Sequence, residues 1–247
     1  MVWGTFGWVH WISLLVGVLL NVGLYFLLRN RSETVKTVVL GVLSFAGIGA
    51  ILFNLLTWGS PLEYLPLHLC SLNALALPVA VFTRSKTVGN VLLLWSLGAV
   101  AALLLNHDSA NFEILSWTFF FYYFPHVLEC GIPILLFKLK MVKLSARCIW
   151  STLAITLTCY TVIHCVNVWL NDYCAAHQIL DWAGNVIQVN YMYSITPDNT
   201  LLHLFYGIIP HSYWYMLLVV PIEAVYLGAI YGVQYGLKRR KEKRVEQ

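Results

Sequence analysis

Charge is scarce in this chain. Asp, Glu, Lys and Arg make up 11% of its 247 residues, against about 25% in soluble domains. With 60% of residues apolar, no surface remains for a water-soluble catalytic domain. Basic patches with interleaved aromatics are also missing, which argues against a nucleic-acid partner. The six cysteines, Cys70, Cys130, Cys148, Cys159, Cys165 and Cys174, form no CxxC pair and no Cys/His spacing of structural zinc. Only Cys174 falls in a predicted external loop, so they make no disulfide framework. The first apolar stretch lacks a basic leader and a small-residue cleavage site, so it reads as a retained helix.

What is present is a series of apolar runs, near 7–28, 37–58, 66–83, 87–105, 113–137, 148–170 and 212–236. Each is close to the roughly 20 residues that cross a hydrocarbon core. The loops between them alternate in charge. Arg29, Arg31 and Lys36 follow the first run, Arg84 and Lys86 the third, and Lys138, Lys140, Lys143 and Arg147 the fifth. Lys238, Arg239, Arg240, Lys241, Lys243 and Arg244 follow the seventh. All 15 Lys and Arg thus fall on one side, which the positive-inside rule makes cytoplasmic. The expected fold is all-α: a polytopic membrane helical bundle of seven transmembrane helices, N-terminus out and C-terminus in, in the cell membrane. One transmembrane domain spans 1–237, including an external loop 171–211, and a basic cytoplasmic tail covers 238–247. The tail reads as a topology anchor, and the sequon at Asn30-Arg31-Ser32 falls on the cytoplasmic side.

The external loops differ in character. GSPLEYL (59–65) runs into Pro66, a natural first-turn residue for the third helix, and NHDSANF (106–112) is polar and compact. The last loop is aromatic, and within it Asp198 is expected to cap a short interfacial segment NTLLHLFYGI.

Polar side chains inside a membrane helix carry a cost and need a reason. They are His10, Asn21, Asn54, His68, Asn73, His126, Glu129, His164, Asn167 and Glu223, and most lie in the outer half of the seven-helix arrangement. The asparagines read most simply as interhelical hydrogen-bond partners. His126 and Glu129 share a helix face at i, i+3, so the carboxylate is expected to orient the imidazole. Pro125, Pro133 and Pro221 are expected to bend their helices beside these groups. Cys70, His126, Glu129, His164 and Glu223 are expected to line one pocket beneath the 171–211 loop.

The segment Pro66-Leu67-His68-Leu69-Cys70-Ser71-Leu72-Asn73 is the most chemically pointed. A thiol at a helix N-terminus meets the positive end of the macrodipole, which stabilises negative charge on sulfur. His68 lies at i−2 and faces elsewhere, so a base must come from another helix, and His126 is the candidate. With Pro66 and Trp117 as outer ends, Cys70 and His126 sit at depths of roughly 6 and 14 Å, a mismatch that tilt or the bend at Pro125 must absorb.

PLHLCSLN, the His of FPHVLE and NYMYS-x-x-P, in this order, resemble the YwaF-like bacterial integral membrane family, which is similar to the animal transmembrane protein 164. The likeness runs across most of the chain. It departs after NYMYS, where Leu is usual, and at PHSYWY, where PWPWY is more familiar. The resemblance implies an acyltransferase that moves a fatty acyl chain between phospholipids, with Cys70 as nucleophile and His126 as base. Glu129 would orient His126, and His68, Asn73, His164, Asn167, Glu223, Asn190 and Tyr191 would bind substrate or hold the oxyanion. Membrane lipids would be the substrate, with no cofactor and no metal. From the residues alone three other readings stay open: a transporter or channel with a His/Glu layer, a lipid-binding accessory subunit, and a hydrolase with metal held by His68, His126, His164 and Glu129 or Glu223.

Overall fold

In hydrocarbon a backbone can satisfy its own polar groups by coiling, and the long apolar runs of this chain do so. The computed structural model describes residues 1–58, 60–105 and 109–245, with side chains as far as Gly236. The side chains of the basic tail, and Asn106, His107 and Asp108 of the 106–112 loop, lie outside the described residues. Among those described there are nine α-helices: α1 (Trp8–Leu28), α2 (Glu33–Ser44), α3 (Ala46–Thr57), α4 (Leu69–Thr83), α5 (Lys86–Leu105), α6 (Trp117–Lys138), α7 (Ile149–His177), α8 (Thr200–Ile208) and α9 (Val219–Val245). Six helical segments are long and apolar enough to cross a membrane, with α2 and α3 counted as one.

The expected third span is shorter than the rest. Pro66 does not open it; the helix starts at Leu69, with His68 at the N-cap and no side-chain capping bond. Its 15 residues rise about 22 Å, less than the ~30 Å hydrocarbon thickness. The second span is broken at Phe45. Ser44 Oγ donates to the Gly41 carbonyl at 2.7 Å, a local bond that competes with helical continuation, and Phe45 N–H turns to the carbonyls of Val42 and Leu43.

Three further expectations change. α7 continues to His177, so the long connection begins at Gln178 rather than at residue 171. The cap of α8 is Asn199, whose Oδ1 accepts from Leu202 N–H at 3.1 Å, not Asp198. Pro221 bends nothing: it is the third residue of α9, after a 3-10 turn Trp214–Leu218, where no intrahelical donor is required. Pro125 and Pro133 lie inside α6, which is helical through both.

The core gathers where α4, α5 and α6 meet, around Leu77, Val81, Leu92, Leu94, Leu128, Ile132 and Leu136. α1 keeps Leu15, Val18, Leu19 and Val22 exposed, and α9 keeps Val225 and Val233 exposed, the apolar outer faces that a lipid solvent favours. At one end, Arg84 closes α4 and binds Glu33 at 3.1 Å and Thr37 at 3.0 Å. This fixes the end of α4 level with the start of α2. Nearby, buried Asn90 gathers the Lys86 and Lys143 carbonyls, the Ser145 amide and the Tyr231 hydroxyl. At the other end, Trp3 is buried against His10, Phe119, Tyr122 and Tyr123.

Asn21 links α1 to α6: its Nδ2 donates to the Val127 carbonyl at 3.0 Å. The amide occupies the space in front of Gly131, where an added Cβ would lie 1.6 Å from Asn21 Oδ1. Gly131→Ala must therefore expel Asn21, and it is expected to cost about 1–3 kcal/mol as an overpacked site. Thermal unfolding in detergent should show the loss, and Asn21→Ala added to Gly131→Ala should recover part of it. Additive losses would show that the two positions do not meet.

Candidate active site

A cavity of about 390 Å³ lies between α3, α4 and α6. Each helix presents one stripe to it. α3 gives Gly47, Ala50, Ile51, Asn54 and then Trp58; α6 gives Thr118, Phe121, Tyr122, Pro125, His126 and Glu129. These spacings of three and four residues are those of a single helical face. α4 contributes Cys70, Ser71 and Ala74.

The helices reach this arrangement through two features. The first is Gly47, the buried residue of α3. A Cβ there would lie 2.5 Å from Ala74 Cβ and 3.2 Å from Glu129 Oε1, so only glycine lets α3 close on α4 above the Glu129 carboxyl. The second is the shortness of α4. Counted from the Arg84–Thr37 tie, Cys70 is level with Ile51, about 9 Å below the Thr57 end of α3. His126 is about 13 Å along α6 from Trp117. Measured from these two ends the depths of thiol and imidazole differ by about 4 Å, against about 8 Å expected with Pro66 as the outer end.

Cys70 is the second residue of α4, and the amide and hydroxyl of Ser71 adjoin its sulfur. The first helical N–H groups have no partner within the helix, and those of Cys70 and Ser71 adjoin the sulfur. His126 Nδ1 is 2.6 Å from the Tyr122 carbonyl oxygen. A carbonyl only accepts, so Nδ1 carries the proton and, in the neutral ring, Nε2 keeps its lone pair. The orienting bond expected from Glu129 is not what holds the ring; the backbone one turn back does this. Glu129 is 3% exposed, and its Oε2 has no hydrogen-bond partner among the described residues. Asn73 stands beside the Glu129 carboxyl and bears on it, its amide atoms making no hydrogen bond of normal geometry among the described residues, and it lies behind the cavity wall rather than in its lining.

His68, His164, Asn167, Asn190 and Tyr191, expected to meet substrate, form a separate clamp. Asn167 is fully buried. Its Nδ2 donates to the Tyr191 carbonyl at 2.8 Å and to Ser194 Oγ at 2.9 Å, while its Oδ1 accepts from Tyr191 N–H. His164 Nδ1 meets Ser194 Oγ at 3.0 Å. Asn171 binds Val189 through both backbone groups, and the Tyr191 hydroxyl donates to the Leu62 carbonyl. His68 Nδ1 accepts from Met192 N–H at 3.4 Å, with its ring against Tyr191 and Tyr193. Asn190 ties its own turn, accepting from the amides of Ile195 and Thr196. Met192 and Tyr193 have φ of 53° and 54°, a left-handed strain that such a clamp can hold.

Glu223 is half-buried on α9, a helix that docks on α5 through Tyr226 and Tyr231 and forms no wall of the cavity. The single pocket expected for five residues therefore holds three, Cys70, His126 and Glu129; His164 and Glu223 lie elsewhere. No three His, Cys, Asp or Glu side chains among the described residues are grouped so as to hold a metal ion, which separates the ligand set of the hydrolase reading. His10 is a packing group: it accepts from Phe6 N–H at Nδ1 and pairs Nε2 with the Leu103 carbonyl.

The TMEM164 family profile matches residues 5–231, from ahead of α1 into α9. The chain belongs to the TMEM164 family. No curated protein and no solved structure matches it. The TMEM164 match takes in every wall of the cavity and the whole clamp.

Tyr122, Ser71 and Thr118 were not singled out in the sequence, although the stripe from Thr118 to Glu129 was readable once His126 had been chosen. Within the clamp, Asn167→Ala would strand the buried backbone of Tyr191. A cost of about 1–3 kcal/mol is expected from the unpaired groups. Hydrogen exchange should accelerate at 189–195 while α5 and α6 keep their protection; unchanged exchange there would show that Asn171 and Tyr191 suffice.

Proposed function

We propose that this membrane protein crosses the cell membrane seven times, N-terminus outside and C-terminus inside, with α4 and its 60–68 lead-in completing the third crossing. In its cavity an acyl group would pass from one lipid to another through Cys70. The observation that carries this reading is a thiol at a helix N-terminus lining the same cavity as a histidine whose Nδ1 is committed to a backbone carbonyl. The family membership and the resemblance of PLHLCSLN and FPHVLE support it.

In this scheme Nε2 of His126 takes the Cys70 proton, and the sulfur attacks the donor ester carbonyl. The tetrahedral oxyanion would rest on the free amides of the first turn of α4. It collapses as the C–O bond breaks, and the departing alkoxide takes the proton from His126. The thioester then meets an acceptor hydroxyl, which gives its proton to Nε2 as its oxygen bonds the carbonyl carbon. Sulfur leaves and recovers that proton. Glu129 Oε2 would accept a hydrogen bond from the acceptor hydroxyl. Acyl donor and acceptor are both membrane lipids, and no cofactor enters.

Cys70→Ser and His126→Ala should each lower acyl transfer at least 100-fold, the scale of nucleophile and base removal, with the protein still folded in the membrane. Intact mass of the protein taken from membranes should show an acyl adduct that Cys70→Ser lacks. Full activity in either variant would overturn the cysteine scheme. Labelling of single cysteines placed at 183 and 244 should find them on opposite sides of the membrane; the same side would remove a crossing.

A further inference from the structure

On its α3 side the cavity is separated from the exterior by one helix. The face of α3 away from the cavity carries Leu52 and Leu56, 53% and 86% exposed. The seam between α3 and α6 is closed by two rings: Phe53 and Phe121 stack with centroids 4.5 Å apart and planes at 15°. Phe121 itself lines the cavity, and Trp117 and Phe120 lean on it from the outside, 70% and 45% exposed. One aromatic layer thus lies between the cavity and an apolar surface continuous with the lipid-facing exterior. The stack is held by dispersion and ring quadrupoles, worth about 0.5–1.5 kcal/mol beyond burial.

α3 is also set off from α2 as a helix of its own. The helix break at Phe45, with the Gly41 carbonyl already satisfied by Ser44, lets α3 pivot without opening its own hydrogen bonds. Gly49 faces Phe121, where a Cβ would be 3.8 Å from the ring, so little bulk opposes the motion. Among the described residues the lining of the cavity contains no Lys or Arg, which leaves a phosphate without a cationic partner there and suits a hydrocarbon chain.

We propose that the α3–α6 seam, closed by the Phe53–Phe121 stack, is a lateral entrance through which the acyl chain of a bilayer lipid slides into the cavity beside Cys70. This deepens the acyl-transfer reading and rests on it for the identity of the chain. Entry through the bilayer, rather than from water, is its distinct content.

The test uses full-length protein in phosphatidylcholine vesicles and follows the rate of Cys70 modification by peptide mass spectrometry. One reagent is a membrane-partitioning pyrenyl maleimide, the other a membrane-impermeant cationic methanethiosulfonate. Cys165, exposed on α7, serves as the lipid-facing reference. The pyrenyl reagent should modify Cys70 at least tenfold faster than the cationic one, as at Cys165. Phe53→Ala should raise the pyrenyl rate at Cys70 about fivefold or more and leave Cys165 unchanged, whereas Phe53→Trp should lower it. Equal rates for the two reagents would mean a mouth open to water and overturn the entrance. So would a pyrenyl rate indifferent to both Phe53 substitutions, or a Cys70 that neither reagent reaches. Because labelling needs no turnover, the expected pattern in a protein without transfer activity would keep the entrance and remove only the catalytic reading.

Discussion

Inside a bilayer a polar group has no water to fall back on, so every buried donor and acceptor must find a partner in the protein or meet a ligand. That constraint sorts the polar side chains of this bundle. His10 uses both ring nitrogens on backbone groups. Asn90 holds four partners, and Asn167 three. Each is thereby a fastener. Glu129 and its neighbour Asn73 depart from the pattern: Glu129 lines the cavity, and its Oε2 and both Asn73 amide atoms have no partner among the described residues. A buried carboxyl without a partner is expensive, and a site gives a reason for it that packing does not.

The position of that site follows from two economies of the chain. A helix of 15 residues cannot match the length of its neighbours, so its N-terminus opens within the bundle instead of at its rim. A helix N-terminus normally gives its free amides to water; here it gives them to a cavity, which is why a thiol at this position has donors around it. Gly47 then sets how closely α3 approaches, and so sets the width of the cavity. A larger residue would hold α3 away from Ala74 and leave Glu129 in a wider, wetter space, where a thioester would be open to hydrolysis.

Much of this was legible from residue order. Apolar length identified the six membrane-length helical segments, and a Cys near a helix start with His and Glu at i, i+3 on another picked out three residues that share one cavity. What failed did so for local reasons. Pro66 is well suited to a first turn, yet the 60–68 segment instead gives the Leu62 carbonyl and the His68 ring to the loop. Asp198 and Asn199 are both good N-caps; which of them reaches the amide three residues on depends on the approach of the chain. His164 and Asn167 look like site residues because they are polar and at the right depth, but depth does not give azimuth. One face of α7 meets the 186–194 loop, and side chains on that face were consumed by it.

The clamp and the cavity are therefore two uses of the same kind of residue, and they meet in the 60–68 segment. On one side this segment receives the Tyr191 hydroxyl at Leu62 and the Met192 amide at His68. On the other it contributes Tyr64 to the cavity lining, with its ring stacked on Trp58 at 6.0 Å. It then becomes α4 within one residue of His68, and the next residue after that is Cys70. The strained backbone at Met192 and Tyr193 thus bears, through a few bonds, on the register of the helix that carries the thiol. The two sides of the cavity are thus built differently: one is tied to the 186–194 loop by hydrogen bonds, and the other is a half-helix set off from α2 at Phe45.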